Sequence, residues 1–247
     1  MAVDEALARV HARGRALPTL RLYAWNPPAV SVGYAQALEG EVNLEECRRA
    51  GVDWVRRPTG GRAVLHEHEL TYCVVIRQSL LPGSVLATYR RLAKGLAGVL
   101  RRLGLDPVLA APSGRASRRT AACFDEPSAH ELLVAGKKVL GSAQVRRDGV
   151  ILQHGSLLLH FSPGRLAQFL PGLSPERLAS RAAGVSGLLG RPTGIDEASR
   201  AFREGFAQEL GITLRPGDLT PEERELAETL LPRYAHPSLQ RPGKGVR

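Results

Sequence analysis

Three segments carry side chains that could do chemistry. The first holds Cys123, in Ala121-Ala122-Cys123-Phe124-Asp125-Glu126-Pro127-Ser128, with the basic stretch 111–120 before it and a proline turn after it. A cysteine in an electropositive, partly exposed setting can act as a thiolate nucleophile, whereas one among apolar neighbours is a small packing residue. Cys73, inside the apolar run TYCVVI, and Cys47, on a short helical stretch, fit the second description. The second segment is Gly136-Lys137-Lys138-Val139-Leu140-Gly141-Ser142-Ala143-Gln144. The chain has four lysines against thirty arginines, so a lysine departs from its habitual cation, and two of the four stand side by side here. On an alternating strand the two point to opposite faces, one to solvent and the other to the interior or a cleft. An inward ammonium is a compact charge that can stabilise a thiolate or, once desolvated, give up a proton. An exposed pair beside a hairpin turn is the plainer alternative. The third segment runs from Arg56 to His66, RRPTGGRAVLH. Its two glycines let backbone approach a ligand closely and its arginines can hold an anion. A hairpin turn with solvated arginines accounts for the same residues. The segment is not a P-loop, because it lacks GK[ST] and a strand-to-helix context.

Other reactive types are excluded by spacing. His66, His154 and His160 form no metal pattern, and His66 and His68, on one strand face, have no third ligand at zinc-like spacing, so no metal is expected. Ser142 and Ser156 lack the GxSxG elbow of a serine hydrolase.

Positioning these segments falls to short strands followed by helices. Val3, Leu7 and Val10 at helical spacing predict a first helix over 3–13, and NLEECRRAG predicts another, with Asn43 as its N-cap and Gly51 past its end. LRLYAW and AVSVGY read as strands around Asn26-Pro27-Pro28, and VDWVRR, RAVLH and ELTYCVVIR as three more around the glycine loop. Apolar residues every three or four positions from Ser84 to Leu105 predict the longest helix, with a basic outer face. The stretch 111–120 reads as a mobile loop. Residues 131–160 alternate as a meander with hairpin turns at Ala135-Gly136 and Asp148-Gly149. Four helices follow, around 163–170, 174–182, 194–210 and 220–233. The order predicts an α+β fold, a mixed, largely antiparallel sheet covered by helices, in one domain over 1–235 with a basic tail at 236–247.

Taken together, RRPTGGRAVLHEHELTYCVVI, CFDEPSAHELLVAGKKVLGSAQ and GVILQHGSLLL resemble the biotin/lipoate protein ligase superfamily. Within it they are most similar to the cysteine-dependent octanoyltransferases of the LipM type, and the resemblance covers nearly the whole chain. It implies a fold similar to the catalytic domain of class II aminoacyl-tRNA synthetases and biotin ligases. It implies transfer of octanoate from acyl carrier protein to a lysine of a lipoyl domain, such as glycine cleavage protein H, through an acyl-cysteine thioester. The family's nucleophile maps onto Cys123 and its lysine onto Lys138. Arg57, Thr59, Gly60, Gly61 and His66 of the glycine loop, with Gly141, Ser142 and Ala143, map onto the substrate pocket. Such a reaction uses no cofactor. An ATP- and magnesium-dependent lipoate–protein ligase, a lipoyl-domain amidotransferase and a non-catalytic relative that binds carrier or lipoyl domain are the alternatives. The cysteine argues for acyl transfer over adenylation.

Composition fits that expectation. The chain has 247 residues, 43% hydrophobic and 23% charged, which is ordinary globular usage and excludes disorder as its main state. A formal charge of +10 predicts an anionic partner, and acyl carrier protein is strongly acidic. Nucleic acid is not expected, since no recognition motif or aromatic platform accompanies the charge. Neither a signal peptide nor an apolar run of about 18 residues is present, so a cytoplasmic protein without membrane contact is expected. A monomer is the separate expectation for its assembly.

Overall fold

The structure, a computed structural model, describes residues 1–110, 122–124 and 131–235. The expected mobile loop at 111–120, the Asp125–Ser128 flank of the cysteine segment and the tail 236–247 lie outside the described residues.

Helix α1 (Ala2–Ala12) buries Leu7 and Val10, as their spacing requires. Strands β1 (Thr19–Tyr23) and β2 (Ala29–Val32) flank the proline turn, and α2 (Leu44–Arg49) is capped by Asn43, whose side chain accepts from the Glu46 N–H. β3 (Asp53–Arg56), β4 (Val64–His66) and β5 (Glu69–Arg77) surround the glycine loop. The long amphipathic pattern forms α3 (Val85–Arg102), with Ser84 as N-cap. β6 (Pro107–Leu109) follows, then the meander of β7 (Leu132–Val134), β8 (Lys137–Lys138), β9 (Leu140–Arg147) and β10 (Val150–Leu158). Both hairpin turns have two successive residues at positive φ, Ala135-Gly136 and Asp148-Gly149, the conformation whose twist suits a two-residue hairpin. The chain closes with α4 (Pro163–Phe169), α5 (Pro175–Arg181), α6 (Val185–Leu189), α7 (Ile195–Leu210) and α8 (Pro221–Ala235). β6 and α6, three and five residues long, are too short to leave a periodic signal in the sequence.

The strands divide among three sheets rather than one. The main sheet is antiparallel, in the order β1-β5-β10-β9. A second, β3-β2-β4, pairs β2 parallel to β3, and a third, β6-β7-β8, is antiparallel. Pro27 and Pro28, which have no N–H to give a ladder, separate β1 from β2 and so send successive strands to different sheets. α3 and α7 cover one face of the main sheet, where Leu70 and Tyr72 meet Leu96, Leu100, Phe202 and Phe206. α1 covers the other face, over Cys73, Val75, Val150 and Leu152. No helix among the described residues is long and apolar enough to cross a membrane.

Candidate active site

Sixty residues separate the glycine loop from Cys123, and backbone brings them together. Ala63, just before β4, bridges to Ala122, and the Cys123 N–H donates to the Ala63 carbonyl at 2.9 Å. The thiol therefore lies at the rim of the glycine loop, half-buried.

The β7–β8 hairpin delivers the lysine. Its alternation parts the pair as the sequence predicts. Lys137 is directed outward and donates to the Ala179 carbonyl at 2.8 Å, while Lys138 is 1% exposed. The Lys138 ammonium donates to the Cys123 carbonyl at 2.8 Å and to Glu131 Oε1 at 2.8 Å, and lies 3.5 Å from Cys123 Sγ. Burial works against its charge, but Cys123 and Glu131 more than offset that cost and hold its pKa above the usual lysine value. Lys138 is thus a fixed ammonium at neutral pH and not a resting base.

Arg57 supplies a second buried cation, 4% exposed, with no carboxylate against it among the described residues. Its five N–H groups go to neutral oxygens. Nε and Nη2 donate to Gly60 O, Nη2 also to Arg62 O, and Nη1 to the carbonyl and hydroxyl of Ser31. Burial pulls its pKa down to about 10, and the Cys123 sulphur acts in the opposite sense. The guanidinium is the scaffold of the glycine loop as well as a charge beside the thiol.

One cavity is lined by Cys123, Arg57, Gly61, His66, Gly141, Ser142 and Ala143, all expected from the sequence. The β9–β10 register explains the GSAQ contribution, because Gly141, Ser142 and Ala143 face Ser156, Gly155 and His154. Lys138 lies beneath this cavity, reaching it through the sulphur. Two expected residues are not on its wall. Gly60 turns its carbonyl to Arg57, and Thr59 is fully buried, 2.6 Å from His154 Nε2. A larger cleft, about 370 Å³, opens on the far side of His66 against Trp25, His68, His160 and Thr193, and does not include Cys123. Among the described residues no cluster of three or more His, Cys, Asp or Glu could hold a metal.

Sequence reasoning missed Glu131, Ser31 and Glu69. Glu131 pairs with Lys138 inside the fold, and Glu69 accepts from Thr71, Ser156 and the His66 ring. The signal for the two glutamates was that acidic residues seldom sit beside apolar strands unless something answers them, and Ser31 offered no such signal.

Against known proteins, residues 1–207 match the family model of the lipoyl protein ligase A/B catalytic domain. The chain is 50% identical over 247 residues to Octanoyltransferase LipM of Symbiobacterium thermophilum, covering 94% of this chain and 89% of the relative. It is 47% identical to Octanoyltransferase LipM of Kyrpidia tusciae, covering 95% and 90%. Among solved structures it resembles lipoate-protein ligase A bound with ATP, with a TM-score of 0.79 and 29% identity over 94% of this chain and 88% of the other. A lipoate protein ligase of Thermoplasma acidophilum, described as putative and holding lipoic acid, gives a TM-score of 0.77 at 29% identity, with coverage of 94% and 88%.

Proposed function

This chain belongs to the lipoyl protein ligase A/B catalytic-domain family, and from that membership we propose that it is an octanoyltransferase of lipoate biosynthesis working through a thioester on Cys123. The observation that carries the reading is the cysteine sulphur 3.5 Å from a buried lysine ammonium, on the wall of a cavity built by the glycine loop and β9.

The donor is octanoyl-acyl carrier protein, and the +10 charge favours encounter with so acidic a partner. The Cys123 thiolate attacks the donor carbonyl, a new C–S bond forms as the C–S bond to the carrier breaks, and the carrier leaves as a thiolate that takes a proton from water. The Lys138 ammonium offsets negative charge on sulphur before attack and after its release. Burying the acyl chain contributes roughly 0.8 kcal/mol per methylene, several kcal/mol in all. The acceptor is a lipoyl-domain lysine, glycine cleavage protein H being the natural choice. Its amine attacks acyl-Cys123, forms the amide and returns the thiolate. No cofactor takes part, and the enzyme works as a cytoplasmic monomer.

Intact-mass spectrometry of the protein mixed with octanoyl-acyl carrier protein, without ATP, tests this. One octanoyl group on wild type but not on Cys123→Ala, discharged by glycine cleavage protein H, is the expected result. Acceptor labelling that needs free octanoate or lipoate plus ATP and survives Cys123→Ala would replace transfer by ligation.

A further inference from the structure

Aminolysis of a thioester needs a proton acceptor. A lysine side chain reaches the enzyme as an ammonium, and Lys138 is already committed to its buried ion pair with Glu131 Oε1 at 2.8 Å, which keeps its proton in place after the sulphur is acylated. Two other buried chains of carboxylate, imidazole and hydroxyl approach the site. The first runs from Asp4 through His154 to Thr59; His154 lines the same cavity, but the chain is broken at one end and its hydroxyl is off the wall at the other. His154 Nδ1 has no hydrogen-bond partner among the described residues and lies 3.8 Å from Asp4 Oδ2, and Thr59 does not reach the cavity.

The second is continuous. Ser31 Oγ lies 2.8 Å from His66 Nε2, and His66 Nδ1 lies 3.2 Å from Glu69 Oε1. Its proton positions follow from its ends. Arg57 Nη1 donates to Ser31 Oγ at 3.1 Å, so the Ser31 hydrogen is free to point at His66 Nε2. Nε2 is then the acceptor, and Nδ1 carries the hydrogen given to Glu69. Thr71 and Ser156, each 2.6 Å away, hold the Glu69 carboxylate, and Trp25 stacks on the imidazole with 4.4 Å between ring centroids. Ser31 and His66 both line the cavity that contains Cys123.

We propose that Ser31, His66 and Glu69 form the proton relay for the second half of the reaction, taking the proton that frees the acceptor lysine to attack acyl-Cys123. This rests on the thioester reading above. The acceptor ammonium gives a proton to Ser31 Oγ as Ser31 passes its own to His66 Nε2, and the imidazolium is held by Glu69. The freed lone pair forms the C–N bond, the C–S bond breaks, and sulphur leaves as thiolate beside Lys138. The second amine proton goes to water, as does the imidazolium proton afterwards. Ser31 and His66 are the catalytic residues of this step, and Glu69 positions the ring.

Discharge of preloaded octanoyl-Cys123 by two nucleophiles at pH 7 is the test. Apo glycine cleavage protein H must lose a proton before it attacks, whereas hydroxylamine arrives neutral and needs no relay. In His66→Asn the ratio of the two discharge rates, protein over hydroxylamine, should fall at least thirtyfold. Ser31→Ala, a small change that leaves His66 and Glu69 paired, should lower it at least tenfold and decides the matter if His66→Asn does not fold. Rates that fall in parallel for both nucleophiles, or a ratio that stays put, would overturn the relay. Wild type that never acquires an octanoyl group overturns the thioester reading, and the relay with it.

Discussion

Cys73 and Cys123 are the same side chain in two settings that differ in almost every physical respect. Cys73 sits mid-strand on β5, between Arg21 of β1 and His154 of β10, wholly buried. Burial first, and then the nearby Asp4 carboxylate, push its thiol well above the usual range. Cys123 stands outside any regular strand, half-buried, with one ammonium against its sulphur and a buried guanidinium on the same cavity wall. Cys47 repeats the Cys73 condition on α2, where burial and Glu46 raise it to about 11. Thiol chemistry thus follows from which charges the fold places beside a sulphur, and an ordered strand interior is where it is suppressed.

The widest separation should appear in covalent chemistry. Cys123→Ala is expected to abolish acyl-enzyme formation, at least a thousandfold, while Cys73→Ala retains it at a stability cost of about 1 kcal/mol. Iodoacetamide applied to native protein should modify Cys123 and leave Cys47 and Cys73 untouched until denaturant is added. Equal labelling of Cys73 would collapse the contrast.

Next in size is the pair that supports the active thiol. Glu131→Ala leaves the Lys138 ammonium buried without its carboxylate, which should cost about 3 kcal/mol. For a chain of this length that lowers Tm by roughly 6–12 °C. A Tm within 2 °C of wild type in a calorimetric scan would mean the pair does not hold the site together.

Lys138→Met then removes the cation from the comparison and should slow Cys123 alkylation about thirtyfold, equivalent to about 2 kcal/mol. The same variant gives a pH signature. Lys138 has a folded pKa above its unfolded value near 10.4, so its contribution to stability is complete below about pH 10.4 and is lost as pH rises through the folded value. Wild type should therefore lose stability relative to Lys138→Met as pH rises through that alkaline window. A difference that stays constant through the window would assign the effect to another group.

The two settings were unequally legible. Cys73 could be placed from its apolar neighbours alone, because a run such as TYCVVI specifies a buried strand whatever lies opposite. The Cys123–Lys138 partnership needed the rarity of lysine, the strand alternation and the family motif together. What the sequence hid lies across strands. Ser31 becomes a partner of Arg57 and His66 only through the pairing of β2 with its neighbours, and no local pattern encodes register between segments 26 and 35 residues apart. Glu69 and Glu131 stand three and seven residues from His66 and Lys138, but across turns between strands, where spacing alone does not say which side chains face each other. The division into three sheets was hidden for the same reason, since each strand reads alike whichever neighbour it takes.

The smallest expected effect is the finest probe of the space around the active sulphur. A Cβ on Gly141 would stand 3.5 Å from Cys123 Sγ, 3.5 Å from Lys138 Cε and 3.3 Å from Phe124 Cζ. The first two are ordinary van der Waals contacts, and a slight turn of the Phe124 ring relieves the third, so Gly141→Ala should fold with a stability change under about 1 kcal/mol. On the proposed thioester route, the added methyl would occupy ground over which the acyl carbonyl approaches Cys123. Octanoyl loading is expected to slow about tenfold, near 1.4 kcal/mol in the barrier. Iodoacetamide, with its smaller reacting carbon, should lose less. A loading rate equal to wild type would place the acyl approach on the opposite side of the sulphur, towards Gly61 and His66. A large loss of Tm would mean instead that the glycine serves packing between β9 and Phe124 and says nothing of the approach path.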